Sequence, residues 1–103
     1  MNAQQVCEAD IPKLHVFIHD HCAFIVLLSI PSHMRGKGYA TSLLFEVSKH
    51  CRRMELDDMT SRCRQQGNVY TRLGFVYTGE HGPEMSCTSR LVSRRATSLL
   101  PLL

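Results

Sequence analysis

The chain has 103 residues, 44% of them hydrophobic and 20% charged. That is one domain's worth of ordinary globular composition, which excludes a disordered, collagen-like or coiled-coil chain and allows a modest core. Twelve Lys and Arg against nine Asp and Glu leave a net charge of +3, which suits a phosphorylated ligand or an acidic partner and is too weak to argue for nucleic acid.

The longest apolar stretch, Cys22 to Ile30, is far short of the roughly 20 residues that a membrane helix needs. The opening residues are polar and carry Glu8 and Asp10, unlike a signal peptide. Five cysteines stand at 7, 22, 51, 63 and 87 with no Cys-x-x-Cys pair. Free thiols in a reducing, intracellular and cytoplasmic setting are the expectation.

In chain order, residues 1–13 read as a polar lead, 14–92 as the core and 93–103 as a leucine-rich tail. Leu14 to Ile18 is a short β-type run, with Val16 and Ile18 on one face. His19-Asp20-His21 is a turn. Phe24 to Ile30 is a buried strand stopped by Pro31, and the two runs can pair as a hairpin. The polar loop Ser32 to Tyr39 carries Gly36 and Gly38. Ala40, Leu43, Leu44, Val47 and Cys51 then recur at helical spacing, which predicts a helix over 39–53. Met54 to Met59 resembles a strand. A helix is expected from Ser61 to Leu73, with Gly74 as its left-handed cap and Gly67 blurring its start. Phe75 to Thr78 and Glu84 to Val92 read as two more strands. The alternation predicts an α/β sheet of about five strands with two main helices packed on it.

The loop from Arg35 to Ala40 carries the chemistry. Two glycines let backbone N–H groups converge, and the following helix adds unpaired N–H groups and the positive end of its dipole. Arg35 and Lys37 add charge. The result is a cradle for a pyrophosphate; the plainer reading is a tight strand-to-helix turn with two solvated cations. Neither the P-loop pattern nor the dinucleotide fingerprint occurs.

Arg35, Gly38 and Ala40, followed by the Leu43–Leu44 helix, resemble the coenzyme A motif of the GNAT N-acetyltransferase superfamily, Gln/Arg-x-x-Gly-x-Gly/Ala. Tyr70-Thr71-Arg72-Leu73-Gly74-Phe75 is similar to that family's Tyr-x-Lys/Arg-Leu-Gly-Phe, and Pro83-Glu84-Met85 resembles the opening of its last strand. Leu56-Asp57-Asp58-Met59-Thr60 is similar to small GNAT-like proteins of large DNA viruses. The resemblance covers residues 14–88. It implies a truncated GNAT-like fold, with a mixed sheet, that lacks the early strand and the two helices shaping the acceptor site. It implies acetyl transfer from acetyl-CoA to a primary amine of a protein or small molecule. The amides of Arg35, Gly36, Lys37, Gly38, Tyr39 and Ala40 would hold the pyrophosphate, and Lys37 and Arg72 the 3′-phosphate. The pantetheine arm would lie between the Phe24–Ile30 and Met54–Met59 strands. A backbone N–H near Ile30 would polarise the thioester carbonyl. Tyr70 would protonate the leaving thiolate.

A lysine amine is neutral in only about one molecule per 2500 at pH 7, a cost near ~4.6 kcal/mol. The Phe24–Ile30 strand carries no acid to help. His33, Asp57, Asp58 or a water chain remain candidates. Cys63 and Gln66 stand where the family often has Asn and a small residue. A domain that binds coenzyme A or a partner without turnover is therefore the alternative. A structural metal on His15, His19, His21 and Cys22, with His50, Cys51 and Cys63, is a weaker one, because the spacing lacks two clean ligand pairs; no metal is expected. Membrane and direct nucleic-acid binding are not expected either. Loss of the early elements predicts a homodimer through the exposed edge of Leu14 to Ile18.

Overall fold

Strand β1 (Lys13–His19) turns directly into strand β2 (Cys22–Ser29). The turn residues Asp20 and His21 both have positive φ, 50° and 64°, as a two-residue type I′ hairpin turn requires. These strands belong to a computed structural model that describes residues 11–65 and 67–100. The polar lead up to residue 10, Gln66, and Leu102 and Leu103 of the tail lie outside the described residues.

After β2 the chain makes a short 3-10 turn, Ser32–Met34, and enters helix α1 (Tyr39–Ser48). Strand β3 (Arg53–Asp57), a single helical turn α2 (Val69–Arg72), strands β4 (Val76–Tyr77) and β5 (Glu84–Thr88), and helix α3 (Ser89–Leu99) follow. The five strands form one sheet in the order β1-β2-β3-β5-β4. Only the β2–β3 pair is parallel, and α1 is its crossover.

One face of the sheet carries the core. Ala23, Ile25, Met54, Leu56, Met85 and Cys87 point from the strands into a buried cluster. Leu44 and Val47 of α1, Val92 and Ala96 of α3, and Tyr70, Leu73 and Phe75 complete it. Among the described residues the opposite face is uncovered by helix. Phe17 and Val26 are 66% and 61% exposed there, and Phe24, Leu27 and Val76 are exposed too.

Several expectations need correction. The helix expected over Ser61–Leu73 is only the turn Val69–Arg72. Arg64 and Gly67 both adopt positive φ, which a continuing α-helix does not tolerate, and Asn68 starts a new helix by accepting from the Thr71 amide at 2.9 Å. The strand expected over Glu84–Val92 ends at Thr88. There the Thr88 hydroxyl accepts from the Leu91 amide and a helix begins. Val92, Ala96 and Leu99 then recur at i, i+4 and i+7, so this tail packs on the core across the expected boundary at residue 93. The second main helix is thus α3. Helix α1 is also shorter than expected, ending at Ser48. Among the described residues no helix is long and apolar enough to cross a membrane.

Gly74 does take the left-handed conformation, with φ of 100°. A Cβ added there would stand 2.6 Å from Leu91 Cδ2 and 3.3 Å from Cys87 Sγ. Gly74→Ala therefore adds backbone strain to a core overlap, and is expected to destabilise the fold by about 2 kcal/mol or more. Thermal unfolding should show a fall in Tm of roughly 10 °C. An unchanged Tm would mean that the α2–β4 corner relaxes freely.

Candidate functional site

Pairing between β2 and β3 stops early. It runs from Cys22 opposite Arg53 to Ile25 opposite Leu56, whereas β2 continues to Ser29. The break coincides with a bulge. On the β1 side, His15 pairs with Leu27 and Val16 with Ile25, so Val26 is an extra residue in β2. A bulge bends its strand and sharpens its twist. From Val26 onward β2 has no partner in β3, which ends at Asp57, and a cleft of about 600 Å3 lies at the end of β2, between the glycine loop and the loop that follows β3.

Three segments line the cleft. Leu28, Ser29 and Ile30 come from the end of β2. Residues Arg35, Gly36 and Gly38 to Thr41 come from the loop and the first turn of α1. Met59, Thr60, Arg62, Asn68, Tyr70 and Arg72 come from the loop after β3 and from α2.

The glycine loop has the form of an anion cradle. Gly36 and Gly38 have φ of 77° and 85°, the left-handed region in which an L side chain is strained. Gly38 is the N-cap of α1, and no side chain caps it. Among the described residues, the backbone amides of residues 36–41 donate to no protein acceptor. Successive free amides in alternating conformations form a nest, and the α1 dipole adds positive potential there. Arg35 braces the loop by donating from Nε to the Ile30 carbonyl at 3.0 Å.

Tyr70 is buried in the facing wall, edge-on to Phe75 with ring centroids 6.1 Å apart. Burial pushes its phenol pKa up, and the nearby charge of Asp58 pushes it further. Both effects hold the proton on the oxygen at neutral pH.

Of the residues singled out in the sequence, Ile30, Arg35, Gly36, Gly38, Tyr39, Ala40, Tyr70 and Arg72 all border this one cleft. Lys37 lies on the same loop but outside the lining. Sequence reasoning missed Arg62 and Asn68. Asn68 had a signal: a capping residue directly after Gly67 and three before Thr71. Arg62 had none, because its place depends on how the loop folds. Among the described residues no three His, Cys, Asp or Glu side chains gather as a metal-binding group.

No protein-family model matches the chain, and no curated protein does. Solved structures do match. The KacTA–DNA complex aligns with a TM-score of 0.55 at 13% identity, over 84% of this chain and 61% of that one. AtaTR bound with AcCoA aligns with a TM-score of 0.54 at 13% identity, over 71% of this chain and 46% of that one. Tetrahymena GCN5 gives 0.52 at 13% identity, over 76% of this chain and 59% of that one. The chain thus spans about half to three-fifths of the length of these GNAT acetyltransferases. With its mixed five-stranded sheet and two main helices, the protein has a GNAT-like fold.

Proposed function

We propose that the protein is an acetyl-CoA-dependent N-acetyltransferase acting on a primary amine. The observation that carries this reading is the row of unbonded amides at residues 36–41, set in a cleft beside the end of β2 where it has no partner in β3. A diphosphate fits such a row, and an extended pantetheine arm fits a gap edged by unpaired strand. A structural neighbour is described as bound with AcCoA, which supports the same ligand here.

In this reading the loop amides and the brace at Arg35 hold the pyrophosphate. Arg72, on the cleft wall, takes the 3′-phosphate, and Lys37 contributes charge from the loop. The backbone N–H groups at the end of β2, near Ile30, polarise the thioester carbonyl. Bound acetyl-CoA supplies the thioester carbon to which the amine nitrogen bonds as the C–S bond breaks. Tyr70 gives its proton to the departing sulfur and regains one from solvent, while the new ammonium loses its extra proton to water. The amine must arrive neutral, because β2 carries no acid. Asp58 does not serve as a base in this scheme, since both its oxygens already accept hydrogen bonds. An intracellular location belongs to the same reading, since it supplies both acetyl-CoA and a reducing environment for the thiols.

The lack of an acid on β2 favours one competing reading, a domain that binds coenzyme A without turnover. Gly38→Asp tests what the two readings share. It puts a Cβ and a negative charge among the amides, and acetyl-CoA affinity by calorimetry should fall at least tenfold, about 1.4 kcal/mol. Unchanged affinity in a folded variant removes the cradle from both readings. Tyr70→Phe separates them. With a competent amine, the transfer rate should fall by a factor on the order of 10²–10⁴ while affinity holds. Absence of any transfer or acetyl-CoA hydrolysis by the unaltered protein would favour the binding domain.

We further propose a homodimer through β1. This strand lies at the sheet edge, and Phe17 and Ile18 are 66% and 48% exposed. An antiparallel pair centred on Val16 sets Leu14 of each copy opposite Ile18 of the other, joining two core faces. Light scattering at micromolar concentrations should give twice 11.7 kDa. Val16→Lys should return it to the monomer mass, and a constant 11.7 kDa for the unaltered chain rejects the dimer.

A further inference from the structure

Directly after β3 the chain places a carboxylate inside the protein. Asp58 is 1% exposed, and its own amide donates to the Pro83 carbonyl at 2.8 Å. No cation faces it. Instead four donors converge. Oδ1 accepts from the Thr60 amide at 3.1 Å and the Thr60 hydroxyl at 2.6 Å. Oδ2 accepts from the Tyr77 hydroxyl at 2.8 Å and from Asn68 Nδ2 at 3.3 Å. A carboxylate has about four acceptor sites and no donor, so this arrangement uses all of it. An amide in the same place would turn two N–H groups toward groups that already donate.

Asn68 is the link to the cleft. Its Nδ2 is given to Asp58, which turns its Oδ1 toward the Thr71 amide at 2.9 Å. That bond caps α2, a helix of only four residues. One turn has no helical stability of its own, so its direction is set by its cap and by the packing of Tyr70 and Leu73. Tyr70 is the second residue of that turn.

Tyr77 is the second anchor. Its hydroxyl accepts from the Arg64 amide, and the Arg64 guanidinium lies 4.7 Å from its ring centre. The same guanidinium donates to the Gly79 and Gly82 carbonyls at 2.6 and 3.1 Å. The loop between β3 and α2, which makes one wall of the cleft, is therefore strapped to β4 and to the turn after it.

We propose that Asp58 is a positioning residue: buried behind the cleft, it fixes Asn68 and Tyr77 so that α2 presents Tyr70 to the cleft. The inference rests on the reading of Tyr70 as the proton donor. Asp58 is also the charged group that bears on Tyr70, raising its pKa beyond the effect of burial.

The test uses Asp58→Asn and Tyr77→Phe in the full chain, and Tyr77 does not border the cleft. Three quantities are measured: the Tyr70 phenol titration by carbon-13 tyrosine labelling without ligand, exchange of the Thr71 amide, and kcat with acetyl-CoA affinity. In Asp58→Asn the Tyr70 midpoint should move down, Thr71 exchange should quicken at least tenfold, and kcat should fall at least tenfold with affinity held within about fivefold. In Tyr77→Phe, which keeps the ring under Arg64, Thr71 exchange should quicken at least threefold. If Asp58→Asn is folded and both the titration and the exchange are unchanged, the proposal is overturned. If it does not fold, unchanged exchange in Tyr77→Phe overturns it, and quickened exchange supports it. If the unaltered protein binds no acetyl-CoA, the acetyltransferase reading fails alone, because the titration and the exchange need no ligand.

Discussion

The separation of β2 from β3 after Ile25 is the constraint on which the rest depends. Parallel neighbours need a crossover, and here the crossover is α1. A crossover helix starts at the carboxyl end of the strand that feeds it. The free amides of the loop and the positive end of α1 therefore lie beyond the point where β2, bulged at Val26, runs on without β3. The bulge leaves unpaired backbone along one side of β2, and the glycine loop leaves unpaired amides at its end. Such unpaired backbone groups are left for water or a ligand to satisfy. Ligand binding beyond the carboxyl ends of parallel strands follows from that geometry.

The far wall of the cleft has a different physical basis. It is a loop and one helical turn, and only the turn contributes to the core, through Tyr70. Polar contacts hold it in place: Asp58 within the fold, Arg64 over Tyr77, and Asn68 at the start of α2. Directional bonds define a position more sharply than apolar contacts do, and a buried network is stable only when every member is satisfied. Among the described residues no buried side-chain polar atom lacks a partner. One wall is thus set by strand geometry and the other by a saturated carboxylate.

The core is one-sided. The helices cover the face that carries Ile25, Met54, Leu56 and Met85, while Phe17, Phe24 and Val26 stand exposed on the other. The chain aligns with 61% or less of the matched structures' length, so those larger proteins have further chain with no counterpart here.

Local chemistry was readable in the sequence. The hairpin turn at Asp20-His21, the glycine loop before Tyr39, and the cap at Gly74 depend on a few adjacent residues and their allowed φ, and each stands where the residues put it. So does the apolar stripe of α1, whose period requires no distant partner to be recognised. Other features were settled only by contacts between distant segments. The strand-like residues after Thr88 become helix because Val92, Ala96 and Leu99 find the core. The helix expected from Ser61 shrinks to one turn because Arg64 is drawn over Tyr77, thirteen residues away. Asp58 read in the sequence as a candidate base, and its four donors come from three different segments. A sequence determines which residues can turn, cap or pair with their neighbours, because those energies are local. The parting of β2 from β3 and the burial of one carboxylate needed the assembled tertiary structure, because their energies belong to groups that meet only once the chain has folded.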